Sequence, residues 1–141
     1  MNGNCFVDTN VLVYAHDSEA GEKQRIAKET LQQLWSGRTG SLSPQVLQEF
    51  YVNATRKVSR PLLKAVARSV VNHYAPWCVD ITAAELNAAF RIEDESRIGF
   101  WDALICASAL KAGAEQILSE DLNPGQKIAG LRIVNPFINL R

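Results

Sequence analysis

Three aspartates occupy positions from which their carboxylates could meet. Asp8 and Asp121 each follow a short apolar segment, and Asp102 begins an almost wholly apolar one. Two carboxylates about 4 Å apart repel by roughly 1 kcal/mol in water and roughly 4 kcal/mol at an effective dielectric constant of about 20. A converging set would therefore be protonated or bind a cation, and oxygen ligands favour hard ions such as Mg²⁺ or Mn²⁺. The chemistry that suits such a site is metal-assisted displacement at phosphorus by an activated water molecule.

Each aspartate also has an ordinary structural explanation when it is taken alone. Asp8 can cap a helix, and Asp102 lies in the first turn of one, where its charge faces the positive end of the helix dipole. Asp121 precedes the turn-forming sequence Leu-Asn-Pro-Gly. Only the combination of the three acids indicates a functional site.

The elements that must position these acids follow from the hydrophobic pattern. Short apolar runs alternate with segments of helical periodicity, and Thr82 with Glu85 forms a capping-box pattern. The predicted strands span residues 5–7, 41–43, 77–81, 116–119 and 131–134. Helices are predicted after residue 8 and over residues 22–35, 44–58, 61–74, 82–90 and 99–113. This alternation predicts an α/β fold with a largely parallel sheet, in which ligands bind beyond the carboxyl ends of the strands.

Composition limits the classes of protein that fit. The 141 residues are 47% hydrophobic, which suits one domain spanning residues 1–141. Fifteen basic residues balance fifteen acidic ones, so any contact with a polyanion must be local. Three widely spaced cysteines within apolar runs indicate buried thiols in a reducing compartment, and the apolar, charge-free run at residues 103–110 is far short of a membrane span. We expect a cytoplasmic protein without a membrane anchor.

Four blocks of the sequence carry a family resemblance. They are "FVDTNVLVYA", "PQVLQEFYV", "IGFWDALICASALKAGAEQILSEDL" and "GLRIVNPF", and together they extend over essentially the whole chain. In this order they resemble the PIN-domain family, especially the VapC-like toxin ribonucleases of bacterial type II toxin–antitoxin modules. The resemblance implies a three-layer α/β/α fold whose parallel sheet has about five strands, with the first and fourth strands adjacent at its centre.

The resemblance also implies the site and its chemistry. Asp8, Glu49, Asp102 and Asp121 would form an acidic pocket that binds Mg²⁺ or Mn²⁺, although helical periodicity alone predicts that Glu49 is exposed to solvent. The enzyme would be an endoribonuclease that hydrolyses RNA and leaves a 5′-phosphate and a 3′-hydroxyl. Residues in supporting roles would be Thr9, Asn10 and Ser119.

Other polar residues receive less specific interpretations. The basic run "TRKVSRPLLK" contains Arg56, Lys57 and Arg60, which are candidate contacts for RNA phosphates. Glu120 is interpreted as a solvated turn acid. The two histidines lack the spacing of a metal-binding pair and are interpreted as structural or surface residues.

Partners follow from the resemblance alone. A small antitoxin protein is expected to inhibit the enzyme, and a homodimer is expected. The exposed parts of helices between residues 44 and 71 are the predicted surfaces for both contacts. The RNA sequence that is cleaved is not indicated by the chain.

Three alternatives remain open at the level of sequence. A haloacid-dehalogenase-like phosphatase would have a second aspartate where this chain has Asn10. A receiver-like signalling domain would accept phosphate at Asp80, but it requires a pair of acids after the first strand, and only Asp8 is present. A PIN fold that binds RNA or an antitoxin without cleavage would keep the same pocket.

Overall fold

A five-stranded, mostly parallel sheet forms the centre of the computed structural model, which describes residues 3–138. The strand order is β2-β1-β3-β5-β4, and only β4 runs antiparallel to its neighbour. The strands are β1 (Cys5–Val7), β2 (Gly40–Ser41), β3 (Gln116–Leu118), β4 (Lys127–Ile128) and β5 (Leu131–Val134). The predicted α/β class with a largely parallel sheet is confirmed.

Six α-helices accompany this sheet within residues 3–138. They are α1 (Thr9–Ala15), α2 (Glu22–Gly37), α3 (Pro44–Arg56), α4 (Lys64–Tyr74), α5 (Ala83–Ser96) and α6 (Phe100–Lys111). The predicted capping box at the start of α5 is confirmed, because Thr82 accepts from the helix backbone and Glu85 accepts from Thr82. In residues 3–138, no helix is long and apolar enough to span a membrane.

Helix α6 has the burial that its composition predicts. All seven residues from Ala103 to Ala109 are buried, so the helix is covered on almost every side. The hydroxyl of Ser108, the markedly polar side chain in that stretch, donates to the carbonyl of Leu104 at 2.7 Å. The apolar composition of the helix therefore fixes it in the core, with Asp102 at its exposed first turn.

The predictions for residues 61–74 and 77–81 were wrong in detail, and the strand at residues 127–128 was missed. Helix α4 starts at Lys64, three residues later than predicted. The segment 77–81 contains no strand, because a short 3₁₀ helix (Ala75–Trp77) precedes a single parallel bridge from Cys78 to Leu42. The indole of Trp77 covers the backbone at Gly40, where an added Cβ would lie 2.6 Å from the ring. Strand β4 was not predicted, since it has only two residues.

The pairing of β1 with β3 determines where the polar residues after these strands lie. The two strands are parallel neighbours, with Val7 opposite Leu118, so the predicted adjacency of the first strand with the strand before Asp121 is confirmed. The amide of Asp8 continues this pairing by donating to the carbonyl of Leu118 at 3.0 Å. The residues that follow both strands therefore meet at one end of the sheet.

Candidate active site

A pocket of about 330 Å³ lies at the carboxyl end of β1 and β3. All four acids of the predicted site line it, together with the predicted supporting residues Thr9 and Asn10. None of the lining residues is basic, as far as the described residues show. Its walls consist of Asp8, Thr9, Asn10, Val13, Tyr14, Gln45, Glu49, Asn53, Trp101, Asp102, Ile105 and Asp121.

Ser119 connects two of these acids although it is fully buried. Its hydroxyl donates to Oδ2 of Asp8 at 2.7 Å and accepts from the backbone amide of Asp121 at 3.1 Å. The amide of Leu122 also approaches the same oxygen, at 3.4 Å. A single hydroxyl thus fixes the Asp8 carboxylate and shapes the turn that carries Asp121.

Asn10 adds a second connection across the pocket. Its Nδ2 donates to Oδ2 of Asp121 at 3.1 Å, and its Oδ1 accepts from the backbone amide of Glu120 at 3.1 Å. Because Asn10 lies in the first turn of α1 and Asp121 follows β3, the amide joins the two segments that approach the pocket from either side. Asn10 therefore orients a carboxylate in the way that a supporting residue would.

Glu49 reaches the pocket from α3. Its residue is exposed, as helical periodicity predicts, yet its Oε1 accepts a hydrogen bond of 3.0 Å from the hydroxyl of Thr9. Thr9 directly follows Asp8, and its own backbone amide donates to Oδ1 of Asp8 at 2.8 Å. One threonine thus contacts two of the four acids, and it ties α3 to the start of α1.

Asp8 is the most deeply buried of the four acids. Burial raises the pKa of its carboxyl from 3.8 to about 6, against the hydrogen bonds from Ser119 and Thr9, which lower it. The negative charges of Asp121 and Glu49 raise this pKa further. Asp8 also caps α1, so its structural role and its place in the pocket coexist.

Asp102 lies in the first turn of α6 and lines the pocket from that helix. Burial raises the pKa of its carboxyl, and the charge of Asp121 raises it as well. Asp121 therefore acts electrostatically on both Asp8 and Asp102. Carboxylates that repel one another in this way bind protons or cations more readily than isolated ones.

A protein-family model decides the assignment of the chain. The model of the PIN domain matches residues 5–129, which include all four acids. The chain belongs to the PIN-domain family. The resemblance predicted from the four sequence blocks is confirmed at this level. No curated protein matches the chain at a significant level.

Solved structures place this PIN domain among proteins with the same fold. A toxin–antitoxin complex from Klebsiella pneumoniae is 18% identical, with a TM-score of 0.70 over 94% of this chain and 98% of that one. VapBC2 from Rickettsia felis bound to a promoter DNA fragment is 19% identical, with a TM-score of 0.64 over 92% and 96%. FitAcB from Neisseria gonorrhoeae is 17% identical, with a TM-score of 0.66 over 95% and 99%. At these identities the likeness establishes the fold.

The oxygen atoms that line the pocket of this PIN domain are of the chemical type that binds a hard dication. Four carboxylates and neighbouring amide and hydroxyl oxygens are the ligands that Mg²⁺ and Mn²⁺ prefer. As the side chains stand, however, no three His, Cys, Asp or Glu residues between 3 and 138 are arranged to hold one ion. Binding of an ion would therefore require side-chain rotation, and three of the four acids, Glu49, Asp102 and Asp121, are exposed residues.

Several residues of the pocket were not predicted from the sequence. Gln45 and Asn53 lie one turn before and one turn after Glu49 on α3, so the three form one polar stripe facing the pocket. That spacing of four residues was a signal that could have found them. Tyr14 and Trp101 gave no such signal, because aromatic residues in helices are usually assigned to the core.

The basic residues proposed to contact RNA lie outside the pocket lining. Arg56 ends α3, Lys57 follows it, and Arg60 lies in the loop before α4, where it forms an exposed ion pair of 3.0 Å with Glu19. All three basic residues are exposed. Their role in RNA binding stays a prediction.

Glu120 is not the solvated turn acid that was predicted. Its carboxylate is partly buried and accepts hydrogen bonds from the hydroxyl of Tyr14 and the ammonium group of Lys23. Burial raises the pKa of this carboxyl, but the hydrogen bonds from Lys23 and Tyr14 outweigh it, so the net pKa is lowered. Glu120 thus already has a cation, whereas none of the four acids that line the pocket forms an ion pair with a residue between 3 and 138.

Proposed function

We propose that this PIN domain is a divalent-metal-dependent endoribonuclease. The observation that carries the proposal is the convergence of Asp8, Glu49, Asp102 and Asp121 on one pocket whose described lining contains no basic residue. Because the described lining contains no basic side chain, a bound dication is the charge that would best balance the negative charge of these carboxylates. When bound, Mg²⁺ or Mn²⁺ would supply Lewis-acid activation of water and of the scissile phosphate.

The residues of the chain have separable roles in this proposal. Asp8, Asp102, Asp121 and Glu49 hold the ions and accept protons, and none of them attacks phosphorus. Ser119, Thr9 and Asn10 keep the carboxylates oriented through the hydrogen bonds described above. RNA hydrolysis by this route leaves a 5′-phosphate and a 3′-hydroxyl, as the family resemblance implies.

We also infer that the protein is the toxin of a toxin–antitoxin pair. The support comes from solved structures with this fold, which include toxin–antitoxin complexes in which this chain covers 98% and 96% of the matched chain. A small antitoxin and a second copy of the chain are the expected partners. A groove of about 520 Å³ between α3 and α4, lined in part by Leu47, Tyr51 and Val71, lies on the surface predicted for them.

Membership of the PIN-domain family argues against the two alternatives from other families. The acceptor expected of a receiver domain, Asp80, is exposed and does not line the pocket. A PIN domain that binds RNA without cutting it is the remaining alternative, and activity distinguishes it from a nuclease.

A mixed RNA pool tests the proposed function. We expect cleavage in the presence of Mg²⁺ or Mn²⁺ and none with chelator. Asp102→Asn should lower the cleavage rate at least a hundredfold, because removing one group that stabilises a transition state typically costs about 10²–10³-fold in rate. Asp80→Asn is the matched control, since it removes an exposed acid that is not part of the pocket. Products are mapped for 5′-phosphate ends. Failure to cleave any RNA with any divalent ion would exclude the proposal.

The toxin role has its own test. Co-expression with the protein encoded by a short adjacent reading frame should yield a stable complex in which nuclease activity is suppressed. Light scattering of the isolated chain should give the mass of a dimer. A monomer that co-purifies with no small partner and shows no inhibition would contradict the toxin assignment, while leaving the nuclease proposal intact.

A further inference from the structure

Trp101 is one of the most exposed large apolar side chains of the protein, and it stands in the wall of the acidic pocket. Its exposed fraction is 65%, and it precedes Asp102 in the first turn of α6. The ring of Phe100 packs edge-on against the indole with 5.2 Å between ring centroids. The indole is thus supported from one side and open on another, beside a carboxylate of the proposed site.

A smaller cavity of about 160 Å³ shares two residues with the acidic pocket. Trp101 and Gln45 line both spaces. The remaining walls of the smaller cavity include apolar side chains from α6 and from the segment before α5, among them Leu104 and Ile81. A second space, more enclosed and more apolar, therefore adjoins the acidic pocket at Trp101 and Gln45.

Gln45 brings an unsatisfied polar group to this junction. Its Oε1 is buried and has no hydrogen-bond partner among residues 3–138. A buried amide oxygen without a partner costs roughly 1–3 kcal/mol in free energy of folding, so a ligand that donates to it recovers that cost. The junction thus combines an aromatic face with a side-chain amide oxygen that lacks a partner within residues 3–138.

We propose that Trp101 and Gln45 form a base-binding subsite for single-stranded RNA. One nucleobase stacks on the indole, and its edge pairs with the amide of Gln45, while its phosphate lies over the carboxylates. This inference rests on the proposed nuclease function and adds a substrate contact to it. Stacking on aromatic side chains with hydrogen bonds to base edges is how proteins recognise unpaired bases in RNA.

The positions of the residues on their helices support this arrangement. Trp101 is the neighbour of Asp102 on α6, and Gln45 lies one turn from Glu49 on α3. Each component of the subsite is therefore adjacent to an acid that lines the pocket. A base held between α3 and α6 would therefore have its own sugar and phosphate next to the acidic pocket.

Binding without cleavage tests the subsite first. The probe is a single-stranded oligoribonucleotide of ten residues and mixed sequence, mixed with the protein in Mg²⁺ by stopped flow so that tryptophan fluorescence is recorded before cleavage. We expect quenching in the wild-type protein and in Trp35→Phe, and loss of most of the quenching in Trp101→Phe. Trp35 is the control, because it is a partly exposed tryptophan that lies outside both cavities.

Affinity and kinetics provide the second measurement. Replacing a stacking aromatic by alanine weakens binding by about 5- to 150-fold per base, so Trp101→Ala should weaken oligonucleotide binding and raise KM within that range. Trp101→Phe should retain most of the affinity, and Gln45→Leu should raise KM with a change in base preference. Leu63→Ala, which shortens an even more exposed apolar side chain outside both cavities, should behave as wild type.

The outcomes separate this inference from the nuclease proposal. Cleavage with an unchanged KM in both Trp101→Ala and Gln45→Leu would overturn the subsite and leave the nuclease intact. Binding with fluorescence quenching but no cleavage would support the subsite and exclude the nuclease. A Trp101→Ala protein that loses only dimerisation or antitoxin binding, with RNA affinity unchanged, would show that a protein covers the indole and would overturn the subsite.

Discussion

The hydroxyl of Ser119 lies 2.7 Å from Oδ2 of Asp8 and donates a hydrogen bond to it, although the two residues are 111 positions apart in the chain. The same oxygen accepts from the amide of Asp121. The contact therefore joins the ends of β1 and β3 and controls the electrostatics of the buried acid. Its removal should affect both stability and the charge state of Asp8.

Ser119→Ala should lower the free energy of unfolding by about 1–3 kcal/mol, because it leaves a buried carboxylate without one of its donors. The hydrogen bond from Ser119 lowers the pKa of Asp8, so its loss raises that pKa further. The cost should consequently be larger at pH 7.5, where Asp8 is ionised, than at pH 4.5. Urea unfolding at the two pH values measures the loss of unfolding free energy, and equal losses at both would contradict this account.

Asp8 makes the metal-free protein less stable as the pH rises. Its folded-state pKa is raised from 3.8 to about 6, so its contribution to stability is complete below pH 3.8 and is lost as the pH rises through about 6. The shift of about two units corresponds to about 3 kcal/mol. Asp8→Asn, which keeps a helix-capping side chain, should remove this pH dependence in EDTA. Unfolding curves between pH 4 and 8 measure this dependence in both proteins. Unfolding free energies that change in parallel with pH in wild type and Asp8→Asn would contradict the prediction.

Substitutions of the adjacent acids Glu120 and Asp121 should change the response of Tm to Mg²⁺ differently. The ion should raise Tm in wild type and in Glu120→Gln, because Glu120 is already paired with Lys23 and Tyr14. Asp121→Asn should lose most of the increase. At a Mg²⁺ concentration about 100 times Kd the stabilisation is about 2.7 kcal/mol. Calorimetric scans with Mg²⁺ or EDTA provide the comparison, and the same Tm increase in both variants would speak against Asp121 as a ligand.

The basic residues after α3 should contribute to RNA affinity through salt-dependent contacts. Each phosphate contact of single-stranded RNA adds about 0.7 to the slope of log affinity against log salt. Arg56→Ala and Lys57→Ala should each lower that slope by about this amount, whereas Arg60→Ala should have less effect because Arg60 pairs with Glu19. Oligoribonucleotide titrations in EDTA at several salt concentrations measure it. Unchanged slopes for Arg56→Ala and Lys57→Ala would remove this surface from the binding site.

The elements that could be predicted from sequence were those with a strong local signal. The apolar run of α6 and the capping box at Thr82 and Glu85 determine their helices without help from distant residues. The segment 77–81 was predicted as a strand because it is apolar, but it makes only one bridge, since the Trp77 indole covers β2 at Gly40. That packing depends on a contact between residues 37 positions apart, which local propensity does not contain.

The same distinction applies to the candidate site. Asp8, Asp102 and Asp121 could be found because each lies at the end of a strand or the start of a helix, and Glu49 because of the family resemblance. Tyr14 and Trp101 could not be found, because their side chains reach the pocket only in the folded chain. The interpretation of Glu120 failed because its cation, Lys23, is 97 residues away.

The shortness of the outermost strands determines how this chain can assemble. In residues 3–138, β2 and β4 flank the sheet and have two residues each, and the extended backbone at Cys78 and Val79 pairs with Leu42 beyond β2. Neither side offers a long row of unpaired amides to another polypeptide, which protects the fold against aggregation by strand addition. Oligomers of this chain are therefore expected to form through the side chains of its helices and not through a continuous intermolecular β-sheet.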